Sequence, residues 1–118
     1  MRLAQDRSAA QQARRHARQC MRDLALNEFV VADIELVVGE LVNNAVLHAT
    51  PPYDFDLFCA NGTVRGEVHD CSTARPAVNA GPDHRGGFGL NIVAARTSRW
   101  GSKLTAAGKQ VWFEIDQP

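Results

Sequence analysis

Apolar residues recur with helical spacing in the first half of the chain. Between Ser8 and Leu24, small and apolar residues return every three or four positions, so one face of a helix can pack on a core. A longer helix is predicted from an N-cap at Asn27 to about His48. The apolar arc of this helix is wide, which indicates that other elements cover it on more than one side. Thr50-Pro51-Pro52 ends the helix because proline lacks an amide donor.

Alternation of polar and apolar residues predicts two β-hairpins in the second half. One is expected around the turn Asn61-Gly62, and the other around Ala107-Gly108-Lys109. The predicted strands run from Tyr53 to Cys59, from Val64 to Asp70, from Lys103 to Ala106 and from Gln110 to Asp116.

A long loop and a third helix separate the two hairpins. The loop covers the fifteen residues from Cys71 to Arg85, and a loop this long in a small domain is more often functional than not. Gly86-Gly87-Phe88-Gly89 then opens a helix from about Leu90 to Ser98, and Gly101 helps to end it. The expected fold class is α+β, a two-layer sandwich in which helices cover one face of a mixed, mainly antiparallel sheet.

The composition is that of one globular domain, expected to span residues 1–118. Of the 118 residues, 45% are hydrophobic and 22% are charged, which allows a core and excludes global disorder. Basic and acidic residues number 13 each, so the net charge favours neither nucleic acid nor membrane as a partner. The cysteines, Cys20, Cys59 and Cys71, are few and dispersed, which argues against disulfides or a zinc site and favours a cytoplasmic protein.

The charges are unevenly distributed along the chain. Residues 1–25 hold six arginines and two acidic residues, whereas residues 26–60 hold six acidic residues and no lysine or arginine. On the first predicted helix, four of the arginines form a basic stripe, made of Arg14, Arg15, Arg18 and Arg22. This stripe is either a solvated face or a contact surface for an acidic partner. DNA binding is disfavoured because the net charge is zero.

Three polar residues interrupt the apolar second helix. Glu40, Asn44 and His48 stand four residues apart, so their side chains project along one polar stripe. An unsatisfied buried polar group costs about 1–3 kcal/mol, so these residues either satisfy one another and the nearby backbone or face a ligand. In the second case, the carboxylate can act as a base and the amide oxygen suits Mg²⁺.

Two further features are candidates for ligand binding. Residues 85–90, RGGFGL, stand at a helix start, where free backbone amides favour phosphate, although a simple glycine turn has the same sequence. Their spacing is neither that of a P-loop nor that of a dinucleotide fingerprint. Asp70 ends a strand just before the long loop, where its carboxylate can accept a hydrogen bond from an exocyclic amine such as that of adenine, or can simply form a turn.

Taken in order, these motifs resemble those of the GHKL (Bergerat-fold) ATP-binding domains. The order is ELVNNAVLHA on a helix, a strand that ends in Asp70-Cys71-Ser72, a loop, and GGFGLNIV. The resemblance covers nearly the whole chain and is closest to the small bacterial anti-sigma-factor serine/threonine kinases. It implies ATP and Mg²⁺ as cofactors, a sigma factor and an anti-anti-sigma (antagonist) protein as partners, and a homodimer.

The resemblance also implies a role for individual residues. Asn44 would help to hold Mg²⁺ between the ATP phosphates, and Glu40 would be the general base. Asp70 would read the adenine amine, with Ser72 nearby, while residues 71–86 would form a lid. The other implied cofactor-binding residues cradle the phosphates or border the base, and they are His48, Arg85, Gly86, Gly87, Phe88, Gly89, Leu90 and Gln110.

The resemblance leaves the activity open between two main hypotheses. In the first, the protein is a kinase that phosphorylates its antagonist, which the pairing of Glu40 with Asn44 favours. In the second, it is a non-catalytic module in which ATP only orders the lid. Ser72 stands where glycine is typical and Gln110 where threonine is frequent, and these two departures favour the second hypothesis. ATP hydrolysis with water as the acceptor is less favoured, because the GHKL machines that hydrolyse ATP carry transducer domains for which 118 residues leave no room.

Overall fold

Helices α1 (Ser8–Met21) and α2 (Glu28–His48) form where the first two apolar patterns predict them. The structure, a computed structural model, describes residues 1–72 and 87–117, and for residues 87–89 it describes the backbone alone. Asn27 caps α2 as predicted, because its side chain accepts a hydrogen bond from the backbone N–H of Phe29 at 2.7 Å. Helix α1 ends before the predicted Leu24, and Ala25, in a left-handed conformation, turns the chain toward α2.

The wide apolar arc of α2 is buried on several sides. Helix α1, helix α3 (Gly87–Arg96) and the sheet all pack against it. The buried residues of α2 are Ile34, Val37, Val38, Gly39, Leu41, Val42 and Ala45. Helix α2 is therefore the central helix of its layer and holds its polar residues in a fixed position. Within the described ranges, no helix is both long and apolar enough to span a bilayer.

Strand pairing among the described residues is antiparallel throughout. The strands β1 (Asp54–Ala60), β2 (Thr63–Asp70), β3 (Arg99–Leu104) and β4 (Lys109–Asp116) form one sheet in the order β1-β2-β4-β3. The N-terminal residues extend the β1 edge, because the backbone N–H of Phe55 donates to the carbonyl of Met1 at 2.9 Å. The α+β fold class predicted from the sequence is confirmed.

The two faces of the sheet differ in chemistry. Phe55, Val68 and Phe113 are buried beneath the helices. The alternate positions of the same strands form a polar face, on which Arg65 makes ion pairs with Glu67 at 2.7 Å and Glu114 at 3.1 Å. Within the described part of the chain, helices therefore cover one face of the sheet, as the sequence predicts.

Strand β3 begins earlier than its sequence indicates. The predicted helix continued to Ser98 and the predicted strand began at Lys103, whereas α3 ends at Arg96 and β3 starts at Arg99. Gly101 therefore lies inside β3, where a side chain would meet the ring of Trp112 on β4 at 3.0 Å. The sequence predicts that Gly101 helps to end a helix, whereas in the structure it leaves room for the Trp112 ring on the neighbouring strand. This role becomes visible only when the pairing of β3 with β4 is known.

Candidate functional site

The C-terminal end of α2 and the end of β2 lie side by side. The backbone N–H of Cys71, just after β2, donates to the carbonyl of Thr50, just after α2, at 2.9 Å. The hydroxyl of Tyr53 donates to the carbonyl of Ala49 at 3.2 Å. Burial raises the pKa of Tyr53, and the negative charge of Asp70 adds to the rise. These contacts bring the strand-end carboxylate to the helix end that carries the polar stripe.

The polar stripe of α2 faces partly toward solvent. Glu40 and Asn44 are half-buried, and His48 is exposed in the last turn. Asn43, one helical step away, is exposed. A half-buried carboxylate and a half-buried amide one turn apart can accept a proton and offer an oxygen ligand to Mg²⁺. The two residue types that the sequence selects are therefore accessible from one side of the helix.

Asp70 is a buried carboxylate with a hydroxyl group beside it. Its side chain is only 1% exposed, and its Oδ1 accepts the backbone N–H of Ser72 at 2.7 Å. The hydroxyl oxygen of Ser72 is also buried and has no hydrogen-bond partner within the described part of the chain. Since such an atom is costly to bury, the residues present fit a ligand that offers polar atoms here, as the adenine of ATP does.

Lys109 lies against the carboxylate of Asp70. Its ammonium nitrogen is 3.6 Å from Asp70 Oδ2, and its side chain is only 10% exposed. The register of the sheet explains this contact, because Lys109 is the direct cross-strand partner of Asp70 in the β2–β4 pair. The sequence assigned Lys109 to a hairpin turn and no role to its side chain, so this residue of the site was missed.

The same register places Gln110 on the other face of the sheet. Gln110 pairs with His69, not with Asp70. Since successive residues of a strand point to opposite faces, its side chain belongs to the polar face of the sheet. Gln110 is buried there, and its Oε1 lacks a hydrogen-bond partner among the described residues. The residue that the structure places beside Asp70 is therefore Lys109 and not Gln110.

The glycine segment is described only from its second glycine onward. Helix α3 begins at Gly87 and packs against α2, so the free backbone amides of its first turn start on the same side of the sheet as α2. Leu90 is 3% exposed and belongs to the core, so its backbone alone is available to a ligand. Arg85, Gly86 and most of the predicted lid lie outside the described residues, as does the side chain of Phe88.

The basic stripe of α1 is divided by its contacts with α2. Arg18 pairs with Glu35 of α2 at 2.6 Å. Arg14 is half-buried against Gly39, at a point where any larger side chain would overlap its guanidinium. Arg15 and Arg22 are exposed. Part of the stripe therefore joins the two helices, and the rest is free to meet another molecule.

A second group of potential ligands lies on the polar face, and the sequence did not predict it. Ligand atoms of Asp56, Glu67 and His69 all lie within 4.8 Å of one another. His69 Nε2 is 3.2 Å from Glu67 and 3.8 Å from Asp56. The pairing of β1 with β2 brings these residues together, so no local spacing reveals them. They lie on the opposite face from Asp70 and are separate from the site beside α2.

The comparison with protein families agrees with this geometry. The model of the family described as "Histidine kinase-like ATPase domain" matches residues 3–115. The match covers the polar stripe of α2, Asp70, the segment around α3 and Lys109. No curated protein matches the chain.

Proposed function

The chain belongs to the histidine kinase-like ATPase domain family, and from this premise we propose that it is an anti-sigma factor that also phosphorylates an anti-anti-sigma (antagonist) protein. Membership of the family supports ATP binding in a regulatory role. The finer proposal is that the protein, as a homodimer, binds a sigma factor. With Mg-ATP, it transfers phosphate to a serine or threonine of the antagonist.

The observation that carries the proposal is the buried carboxylate of Asp70 beside the unpartnered hydroxyl of Ser72. These groups lie next to the end of the helix that presents Glu40 and Asn44. Phosphate transfer from ATP requires a group that recognises adenine, a general base and a ligand for Mg²⁺, all on one side of the sheet. Asp70, Glu40 and Asn44 meet this requirement. The same residues placed on opposite faces would not support it.

Catalysis in this proposal rests on positioning and on neutralising charge. Asp70 accepts a hydrogen bond from the adenine amine, and the backbone amides at the start of α3 face the phosphates. Glu40 takes the proton of the attacking hydroxyl, whose oxygen bonds to the γ-phosphorus as the bond to the bridging oxygen breaks and ADP leaves. Asn44 offers its amide oxygen to Mg²⁺, which, when bound, neutralises the phosphate charge.

Replacing Glu40 with alanine tests the proposed catalytic role. The Glu40→Ala variant should bind Mg-ATP as the wild type does, because Glu40 acts on the acceptor hydroxyl. Its transfer rate should fall about 10²–10⁴-fold, the usual contribution of a general base. Calorimetry measures ATP binding with and without Mg²⁺, and γ-labelled ATP measures transfer to candidate antagonist proteins encoded in the same genome.

Glu28→Ala is the matched control, because Glu28 is an exposed acid in the first turn of the same helix. It should leave both binding and transfer unchanged. Retained transfer in Glu40→Ala would show that Glu40 is not the base. Wild-type protein that binds ATP without transferring phosphate would support the non-catalytic module, which the departure from the family pattern at Ser72 favours.

A further inference from the structure

Lys109 places a second charged group beside Asp70. In the proposed function, Asp70 is the residue that recognises the adenine base. The distance of 3.6 Å between the ammonium and the carboxylate is longer than a well-formed N–H···O hydrogen bond. The two charges therefore attract each other while the N–H donors of Lys109 stay available to a third group. A lysine offers three such donors and no acceptor, whereas an ionised aspartate offers only acceptors.

The position of Lys109 is set by the sheet. Lys109 is the first residue of β4 and the cross-strand partner of Asp70, the last residue of β2. The turn before it is held against the end of β2, because any side chain at Gly108 would overlap the backbone of Asp70 and Cys71. Gly108 also has a φ of 156°, a conformation that favours glycine. The ammonium and the carboxylate are thus presented together at the same end of the sheet.

The two groups match neighbouring atoms of one base. On the edge of adenine that pairs with other bases, the 6-amino group is a donor and the adjacent ring nitrogen N1 is an acceptor. We propose that Lys109 is a second base-reading residue, which donates a hydrogen bond to N1 while Asp70 accepts one from the 6-amino group. This inference rests on the proposed function, since it assumes that a purine nucleotide occupies the site.

The pair also explains how the site would reject guanine. In guanine, the 6-position carries an oxygen acceptor and N1 carries a hydrogen, so both partners are reversed. In the same orientation the oxygen would face the carboxylate of Asp70, and the N1 hydrogen would face the ammonium of Lys109. A site that leaves buried polar groups mismatched discriminates strongly. Lys109 therefore makes the selectivity for adenine depend on two adjacent atoms.

The test compares ATP with 1-deaza-ATP, which keeps the 6-amino group and replaces N1 by a C–H. Both nucleotides are titrated with Mg²⁺ by calorimetry into the full chain and into its Lys109→Met variant. The wild type should bind 1-deaza-ATP about 10- to 100-fold more weakly than ATP, the usual value of a hydrogen bond to a charged group. In Lys109→Met the two dissociation constants should become nearly equal, because the donor to N1 is gone.

Two further variants keep the result decisive. Lys103→Met removes the same charge from an exposed lysine of β3 and should keep the wild-type ratio. Lys109→Arg retains charged donors, so it should keep part of the ratio if Lys109→Met does not fold. Equal binding of the two nucleotides by the wild type would overturn the role of Lys109 and leave the proposed function intact. Equal weakening of both nucleotides in Lys109→Met would also overturn it, whereas a wild type that binds no ATP would refute the proposed function itself.

Discussion

At the scale of single residues, a glycine at the centre of the sheet leaves the space that a buried aromatic ring occupies. Gly66 of β2 is the cross-strand partner of Phe113 on β4. A Cβ atom at position 66 would overlap the Phe113 ring, which is completely buried. Because the core is close-packed, the ring has no free space into which to move. Gly66 is therefore required by packing and not by a turn.

Adding one methyl group at this position should destabilise the protein. Gly66→Ala is expected to lower the free energy of unfolding by about 1–3 kcal/mol, the usual cost of overpacking a core. Urea-induced unfolding followed by circular dichroism measures the change. Gly101→Ala is the graded control, since its closest contact is with Trp112 at 3.0 Å on a half-exposed edge strand, and it should cost less. Equal stability of Gly66→Ala and wild type would contradict the packing argument.

The sequence alone does not distinguish the orientations of Lys109 and Gln110. The sequence shows that both follow a hairpin glycine, but it does not show which of them faces the helices. A shift of one residue moves a side chain to the other face of a sheet. The register with β2 settles the question, because Asp70 pairs with Lys109.

At the scale of elements, α1 is attached to α2 by part of its own basic stripe. Arg18 contacts Glu35, and Arg14 lies over Gly39. The alanines of α1 bury the face next to these arginines. The prediction of α1 from its apolar spacing is confirmed. The division of its arginines between internal and external contacts could not be predicted, because it depends on which residues of α2 lie opposite.

Arg15 is an exposed arginine of α1 that makes no ion pair within the described residues, and we expect it to contact an acidic partner. Arg15→Glu should weaken binding to the proposed sigma-factor partner, because it would place a negative charge against the acidic surface expected there, and it should leave ATP affinity unchanged. Biolayer interferometry against the sigma factors encoded in the same genome measures the first effect, and calorimetry measures the second. Lys103→Glu makes the same charge change on β3 and should bind partners as the wild type does. Unchanged partner binding by Arg15→Glu would exclude Arg15 from the interface.

At the scale of the whole molecule, charge pairs join neighbouring strands across the polar face of the sheet. Arg99 of β3 contacts Glu114 at 2.8 Å and Asp116 at 2.5 Å. The hydrogen bond from Arg99 lowers the pKa of Glu114, and hydrogen bonds from Arg99 and then Thr63 lower that of Asp116. Near the N-terminus, the hydrogen bond from Arg2 likewise lowers the pKa of Asp54. These carboxylates are thus more acidic in the folded chain than in the unfolded one.

The lowered pKa values predict that the folded state loses stability in acid. A carboxylate whose pKa falls on folding stabilises the native state above its unfolded pKa, here 3.8 for Asp and 4.5 for Glu, and this contribution is lost as the pH falls through the folded pKa. Thermal unfolding should therefore show a Tm that is steady near neutral pH and falls below about pH 4.5.

A variant separates this effect from general acid denaturation. Arg99→Met should lower the Tm slightly at neutral pH, since exposed ion pairs contribute little, and its difference from the wild type should shrink in acid. Arg22→Met, at an exposed arginine, should show no such pH-dependent difference. A difference for Arg99→Met that grows as the pH falls would contradict the sign of these pKa shifts.

The sequence by itself determined the elements of this protein, the helix that carries Glu40 and Asn44, the place of Asp70 at a strand end, and the family to which the chain belongs. Those features depend on local periodicity, capping and turns, which act between residues close in the chain. Only the tertiary structure decided that Lys109 faces Asp70, that Gln110 faces away, that Gly66 and Gly101 make room for aromatic rings, and that Arg14 and Arg18 serve the α1–α2 contact. Each of these depends on strand register or helix packing between distant segments. Local spacing carries no information about such pairings, because they are set by which surfaces bury the most apolar area together.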